Sequence, residues 1–341
     1  MNKLLAAQIK QDIQSISLQR MQYPIVFLQP FSSAYLSVPF SDENFHSIKP
    51  VASEKTIVFV DGGNAEILKT PDYSLQFLRF AAVGFQGAKK IMQKKKEGYL
   101  LVSEKKIDKE LYFITKGYGA IKEFPELVLS AKDTLFSKNN ERTKLAAVGE
   151  LFRALYEIHF ACSFIGHENV LVFDRALVPQ NNYEEESFTD LYTIAKNRNA
   201  IICGLSKTTA LLCNTGESVV SHLALFQKQG YWLYYPVFST YNFKHNAVLG
   251  FVKLHPKATH IFRFEIAAEN KAVIKQMVSS LAFLANDAVF VGYPYGLLVA
   301  DQFARISNKE KDYLQTIFFN YAGSKEFTTT ALNAHDILDR I

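Results

Sequence analysis

The sequence predicts an α/β protein built on a mixed β-sheet with helices on both faces. Three observations predict it. Of the 341 residues, 48% are hydrophobic and 21% charged, the balance of a globular chain with a well-filled core. Two short apolar runs, IVFV at 57–60 and VLVF at 170–173, lack polar alternation and read as strands buried on both sides. Strand-like runs come first and a helix–strand alternation follows, which joins an antiparallel portion to a parallel one.

Each element follows from local pattern. Residues 3–17 read as an amphipathic helix without the long apolar core of a signal peptide, and 22–55 as irregular chain broken by prolines 24, 30, 39 and 50. Strands are expected at 56–61, 64–69 and 73–85. Asp61-Gly62-Gly63 lies between the first two with the chemistry of a hairpin turn. GYLLVSEKK (98–106) and ELYFITKGY (110–118) extend the strand series. A helix spans about 144–165, a strand 169–174, a helix 181–197 and a buried strand 200–205. Three further strand-like runs, YWLYYPVFS, AVLGFVKLH and HIFRFEIA, precede a helix at 270–284, a short strand near 288–292, a helix at 297–306 and a helical tail. No repeat or low-complexity tract interrupts this order. One domain is expected, with an N-terminal arm (1–50), a core (about 51–310) and a tail (311–341).

Charge and cysteine content narrow the function classes. The net charge is +5, compatible with a polyanionic partner. Five lysines fall within 89–96, among them Lys94, Lys95 and Lys96, and read either as a solvated loop or as phosphate contacts. Three cysteines without a CxxC pair exclude a disulfide framework or a structural zinc site and fit a reducing cytoplasm. The most apolar later stretch is broken by Asn286, Asp287 and Pro294, so no membrane span is expected. GLSKTT (204–209) lacks the Gly directly before Lys207, and Ile201 stands where a P-loop's first Gly belongs. ATP binding is therefore not expected.

The acids carry the chemistry. Both buried runs reach an aspartate, Asp61 and Asp174. Side by side and parallel, such strands would place two carboxylates at one sheet edge, where α/β proteins put their sites. Asp61 alone reads as a turn residue, but DRAL after the second strand holds no turn chemistry. Glu150, Arg153 and Glu157 share one helix face at i, i+3 and i+7, either as a salt-bridged stripe or as a ligand source. Asp301 can pair with Arg305 or join the other acids. Clustered carboxylates raise one another's proton affinity and are tolerated when a divalent cation neutralises them. Oxygen-only ligands favour Mg²⁺ or Mn²⁺, and two such ions about 4 Å apart are a recurrent device for phosphodiester hydrolysis.

With VFVDGGNAEI (58–67), LYEIHFA and VLVFDRAL (155–177), ICGLSKTTALL (202–212) and GYPYGLLVADQFARI (292–306) in that order, the chain resembles the NurA nuclease family, on a ribonuclease H-like fold. The resemblance implies Asp61, Glu157, Asp174 and Asp301 as metal ligands, with Glu150 in reserve for Glu157, and Tyr293 as an active-site tyrosine. It implies Lys207 as a phosphate contact. The family's Asp-Gly-Ser is here Asp-Gly-Gly and Asp-Arg-Ala. Arg175 therefore stands where a Gly usually lies and is read as a DNA contact or as a sign of an altered site. Asp301 replaces a usual His, which leaves the choice between Mn²⁺ and Mg²⁺ open. The implied activity is a metal-dependent DNA nuclease, 5′–3′ exonuclease and single-strand endonuclease, acting in DNA end resection. The implied partners are DNA, a HerA-type hexameric ATPase and a second copy of the chain. Competing readings are a non-catalytic DNA-binding subunit of a repair motor and a nuclease acting on RNA.

Overall fold

The computed structural model describes residues 3–20, 35–138, 141–142, 144–213, 216–226, 228–240, 247–267 and 271–322; the end of the expected tail lies outside them. In chain order the elements are α1 (Lys3–Arg20), β1 (Tyr35–Ser37), β2 (Phe45–Ser47), β3 (Ile57–Lys69), β4 (Tyr73–Gln86), β5 (Lys89–Ile107), β6 (Glu110–Gly119), β7 (Val128–Ser130), β8 (Ser137–Lys138) and β9 (Glu141–Arg142). There follow α2 (Leu145–Cys162), β10 (Val170–Phe173), α3 (Asn182–Asn197), β11 (Ile201–Ser206), α4 (Val219–Leu225), β12 (Trp232–Tyr234), β13 (Phe238–Thr240), β14 (Val248–Lys253), β15 (Phe262–Ile266), α5 (Lys271–Phe283), α6 (Tyr295–Ala304) and α7 (Asn308–Ala322). No described helix is long and apolar enough to cross a membrane. The chain divides into two compact units, one of 1–51 with 205–292 and one of 52–204 with 293–341.

The unit holding 205–292 is antiparallel. β12 pairs with β2 and β14, and β14 pairs with β15. Its core gathers Trp232, Tyr234, Phe238, Leu249 and Phe251, with Phe40 and Phe45 packed against it. The strand expected near 288–292 does not form. Asp287 Oδ1 accepts from Val289 N–H at 2.8 Å and Asn286 Nδ2 donates to the Phe283 carbonyl at 3.0 Å. These local bonds offer the backbone an alternative to a ladder, and Gly292 then turns with φ +90°.

The unit holding 52–204 carries the mixed sheet. β10 lies between β3 and β11 and runs parallel to both; β3 to β7 then form an antiparallel meander. β4 is buried along nearly its whole length, as a strand covered on both faces must be. The covering follows from alternation along β3. A Cβ on Gly62 would lie 2.9 Å from Glu157 of α2, and one on Gly63 would lie 2.3 Å from the carbonyl oxygen of Ala304 in α6. Successive strand residues face opposite sides, so α2 and α6 cover opposite faces.

Two expectations are corrected here. Asp61-Gly62-Gly63 is not a hairpin: β3 runs through it, paired with β4 from Ile57↔Phe85 to Lys69↔Ser74. The glycines make room for two helices instead. The turn falls at 70–72, where the Thr70 hydroxyl accepts from the N–H groups of Asp72 and Tyr73. The lysine run is not a loop either. Residues 89–97 belong to β5, and the pairing of β6 with β5 begins only at Gly98↔Gly119. The lysines thus lie along a sheet edge, where like charge discourages pairing with another strand.

Candidate active site

Val60 and Phe173 are register partners on parallel β3 and β10, and the next residue on each strand is an aspartate. Neighbouring strands are about 4.8 Å apart, so Asp61, within β3, and Asp174, just past the end of β10, stand side by side at the carboxyl end of β10. The third acid arrives on α6. Gly296 seats the first turn of that helix on the Phe59 ring, where a Cβ would lie 2.1 Å away, and Gly63 admits its last turn. Asp301 is thereby brought in, and carboxylate oxygens of Asp61, Asp174 and Asp301 all lie within 4.8 Å of one another. Asp301 also meets Arg305, an exposed side chain, at 3.4 Å.

Glu157 stands beside this trio rather than within it. It is 3% exposed, and its Oε2 accepts from Arg153 Nη1 at 2.9 Å. Arg153 also donates to the Gly62 carbonyl (3.1 Å) and to Glu150 (3.1 Å). Glu150 itself is exposed and accepts from Asn64 Nδ2 at 2.6 Å. The stripe of Glu150, Arg153 and Glu157 is therefore an ion-paired network running from exposed Glu150 to buried Glu157, bonded to β3 at Asn64 and Gly62.

Charge crowding is visible in the proton affinities. Burial, then the Glu157 and Asp174 carboxylates, push Asp61 up to about 8, against the pull of the Gly62 N–H on its Oδ1 at 2.8 Å. Burial also raises Glu157, opposed by Arg153 and Arg175. Tyr293 is 1% exposed; burial, then the neighbouring Asp174, raise its phenol far above the ordinary range. An oxygen-only donor set with this much repulsion fits a hard divalent cation.

Arg175, Lys95 and Lys96 are engaged within the chain. Arg175 Nη2 meets Glu184 at 2.6 Å, and its guanidinium lies 5.5 Å from the Phe188 ring centre. Lys95 pairs with Glu97 at 2.8 Å and Lys96 with Glu123 at 2.5 Å, while Lys94 is exposed. Lys207 follows β11 and belongs to the other unit. Glu184, buried at 4% exposure, escaped the sequence reading. Its signal was Asn181 three residues ahead, the spacing of a capping box, and Asn181 does accept from the Glu184 N–H at 3.0 Å. A cavity of about 670 Å³ opens beside the acids, lined by Asp61, Asn64, Arg153, Glu157, Asp174 and Arg175 among others.

Residues 186–306 match the family described as the NurA domain. Lys207, Tyr293 and Asp301 fall inside the matched stretch, while Asp61, Glu157 and Asp174 precede it. The crystal structure of the NurA nuclease from Sulfolobus solfataricus superposes with a TM-score of 0.52 at 10% identity, over 94% of this chain and 97% of that one. The mixed sheet flanked by helices is thus shared with a NurA protein along nearly the full length. Looser likenesses are to the catalytic domain of human endonuclease V (TM-score 0.37, 8% identity, 81% of this chain and 92% of that one) and to Ciona intestinalis endonuclease V (TM-score 0.36, 10% identity, 91% and 99%). No curated protein matches the chain.

Proposed function

We propose that this NurA-domain chain is a DNA nuclease that depends on Mn²⁺ or Mg²⁺. The observation that carries the proposal is the convergence of Asp61, Asp174 and Asp301 from two strands and a helix to within 4.8 Å. The NurA nuclease of matching fold supports it. Asp61, Asp174 and Asp301, with Glu157 beside them, would hold the cation. When bound, the ion polarises a phosphoryl oxygen and lowers the pKa of water. The chain's own residues do the rest. Asp61 Oδ1 is oriented by the Gly62 N–H. Tyr293, whose phenol is raised above its ordinary range by burial and then by Asp174, is a suitable hydrogen-bonding group to orient a phosphate oxygen. Lys94, Lys95 and Lys96 on the β5 edge, with Lys207 and Arg175, would supply positive charge to the backbone of a DNA strand.

The family resemblance extends the proposal to 5′–3′ exonuclease and single-strand endonuclease action in end resection, in a homodimer served by a HerA-type hexameric ATPase. The three cysteines are free, which suits a reducing cytoplasm. The test is incubation with linear DNA. Degradation with Mn²⁺ that stops on chelation is the expected result. A gel shift with intact DNA, with or without metal, would favour the non-catalytic binding subunit.

A further inference from the structure

Arg79 grips the corner that follows the third aspartate. It lies on β4 with its side chain 11% exposed, and all three guanidinium nitrogens are engaged. Nε donates to Glu97 of β5 at 2.6 Å. Nη1 donates to the Arg305 carbonyl at 2.9 Å and to Glu310 at 3.1 Å, and Nη2 donates to Glu310 as well. Arg305 caps the C-terminus of α6, and its own N–H donates to the Asp301 carbonyl at 2.8 Å. Glu310 stands in the first turn of α7. One fork on the sheet therefore holds both sides of the α6–α7 corner, and one further backbone hydrogen bond joins that corner to Asp301. Gly63, the register partner of Arg79 on β3, leaves the room that the Ala304 carbonyl occupies beside it.

We propose that Arg79 is a positioning residue of the acid centre: it fixes the end of α6 and thereby the place of Asp301 relative to Asp61 and Asp174. This rests on the metal-dependent reading above and adds to it a residue outside the acid cluster. Three physical grounds support it. Asp61 and Asp174 are placed by adjacent paired strands, whereas Asp301 rides on a helix of ten residues and stands where the anchors of that helix put it. The last carbonyls of a helix lack partners within it, and a cation that donates there satisfies one and opposes the negative end of the helix dipole. A planar guanidinium meets acceptors in several directions at once, which an ammonium, a single point of charge, does not.

The test is Mn²⁺ binding by the full chain without DNA. Calorimetry reads the affinity, and the electron paramagnetic resonance spectrum of the bound ion reads the ligand geometry. Arg79→Lys keeps the charge and loses the fork. It should weaken Mn²⁺ binding by about 10- to 100-fold, as for a group that orients ligands, and change the spectrum at saturating Mn²⁺. Phe318→Ala is the control. It loosens α7 further along, where Phe318 packs on the cluster of Ile67, Leu68, Leu75 and Phe77. It should lower Tm and yet bind Mn²⁺ within about twofold of the wild type, with the spectrum unchanged. Should Arg79→Lys fail to fold, Glu310→Ala removes the α7 end of the grip and carries the same expectation. Wild-type affinity and spectrum in the Arg79 or Glu310 variant, or an equal loss in Phe318→Ala, would overturn the inference while leaving the metal reading intact. A wild-type chain that takes up no Mn²⁺ would instead end the metal reading itself.

Discussion

Asp61 carries a proton affinity of about 8 because burial and the neighbouring Glu157 and Asp174 all resist its ionisation. The ordinary value is 3.8, so the native state without metal binds a proton that the unfolded chain releases. The sign follows from linkage. This contribution to stability is fully present below the ordinary value and is lost as pH rises through about 8. Melting curves in chelator should therefore show Tm falling from pH 4 to 8, and Mn²⁺ should restore it most at the alkaline end. A flat profile in chelator would mean that the acids do not crowd one another. Asp61→Asn relieves the same repulsion. It should raise Tm in chelator at pH 8 and lower DNA cleavage by several kcal/mol of barrier, roughly a hundredfold or more. Binding to DNA should be spared. Full cleavage by this variant would remove Asp61 from the site.

At the scale of elements, the glycines of β3 decide where the helices sit. Gly63→Ala would drive a methyl group into the Ala304 carbonyl, a backbone atom 2.3 Å away. Overpacking of this kind costs about 1–3 kcal/mol, and it would displace the helix that carries Asp301. Urea unfolding should show the loss, and Mn²⁺ affinity should fall with it. A variant with wild-type metal affinity would show that α6 is not held by this contact. The same glycines mark the limit of what the sequence discloses. IVFV and VLVF were legible as buried strands, each followed by an acid, because unbroken apolar runs have few other uses, although β3 continues past Asp61 to Lys69. Asp-Gly-Gly was misread because a close-approach glycine and a turn glycine look alike in one dimension. The lysines of 89–96 were misread because an edge strand guarded by charge shows no alternation. The stripe of Glu150, Arg153 and Glu157 was legible from its spacing, but its anchor, the Gly62 carbonyl, lies 91 positions away and leaves no periodic trace.

For the whole molecule, the charge of +5 predicts salt-sensitive DNA binding. Each phosphate neutralised contributes about 0.9 to the slope of log affinity against log salt. Replacing Lys94, Lys95 and Lys96 by alanine should therefore lower that slope by up to about 3, and by less if Glu97 and Glu123 retain their partners. An unchanged slope would leave the lysines as edge guards alone. GLSKTT carries no phosphate-cradling glycine before Lys207, so ATP should not alter cleavage by the isolated chain; an ATP-stimulated rate without a second protein would contradict this. The proposed cleavage presupposes that three aspartates from distant parts of the sequence hold a hard cation. A crystal of the full chain soaked in Mn²⁺ measures this most directly. The anomalous signal should mark an ion ligated by Asp61, Asp174 and Asp301 together. An ion bound elsewhere, or none at saturating Mn²⁺, would contradict the account.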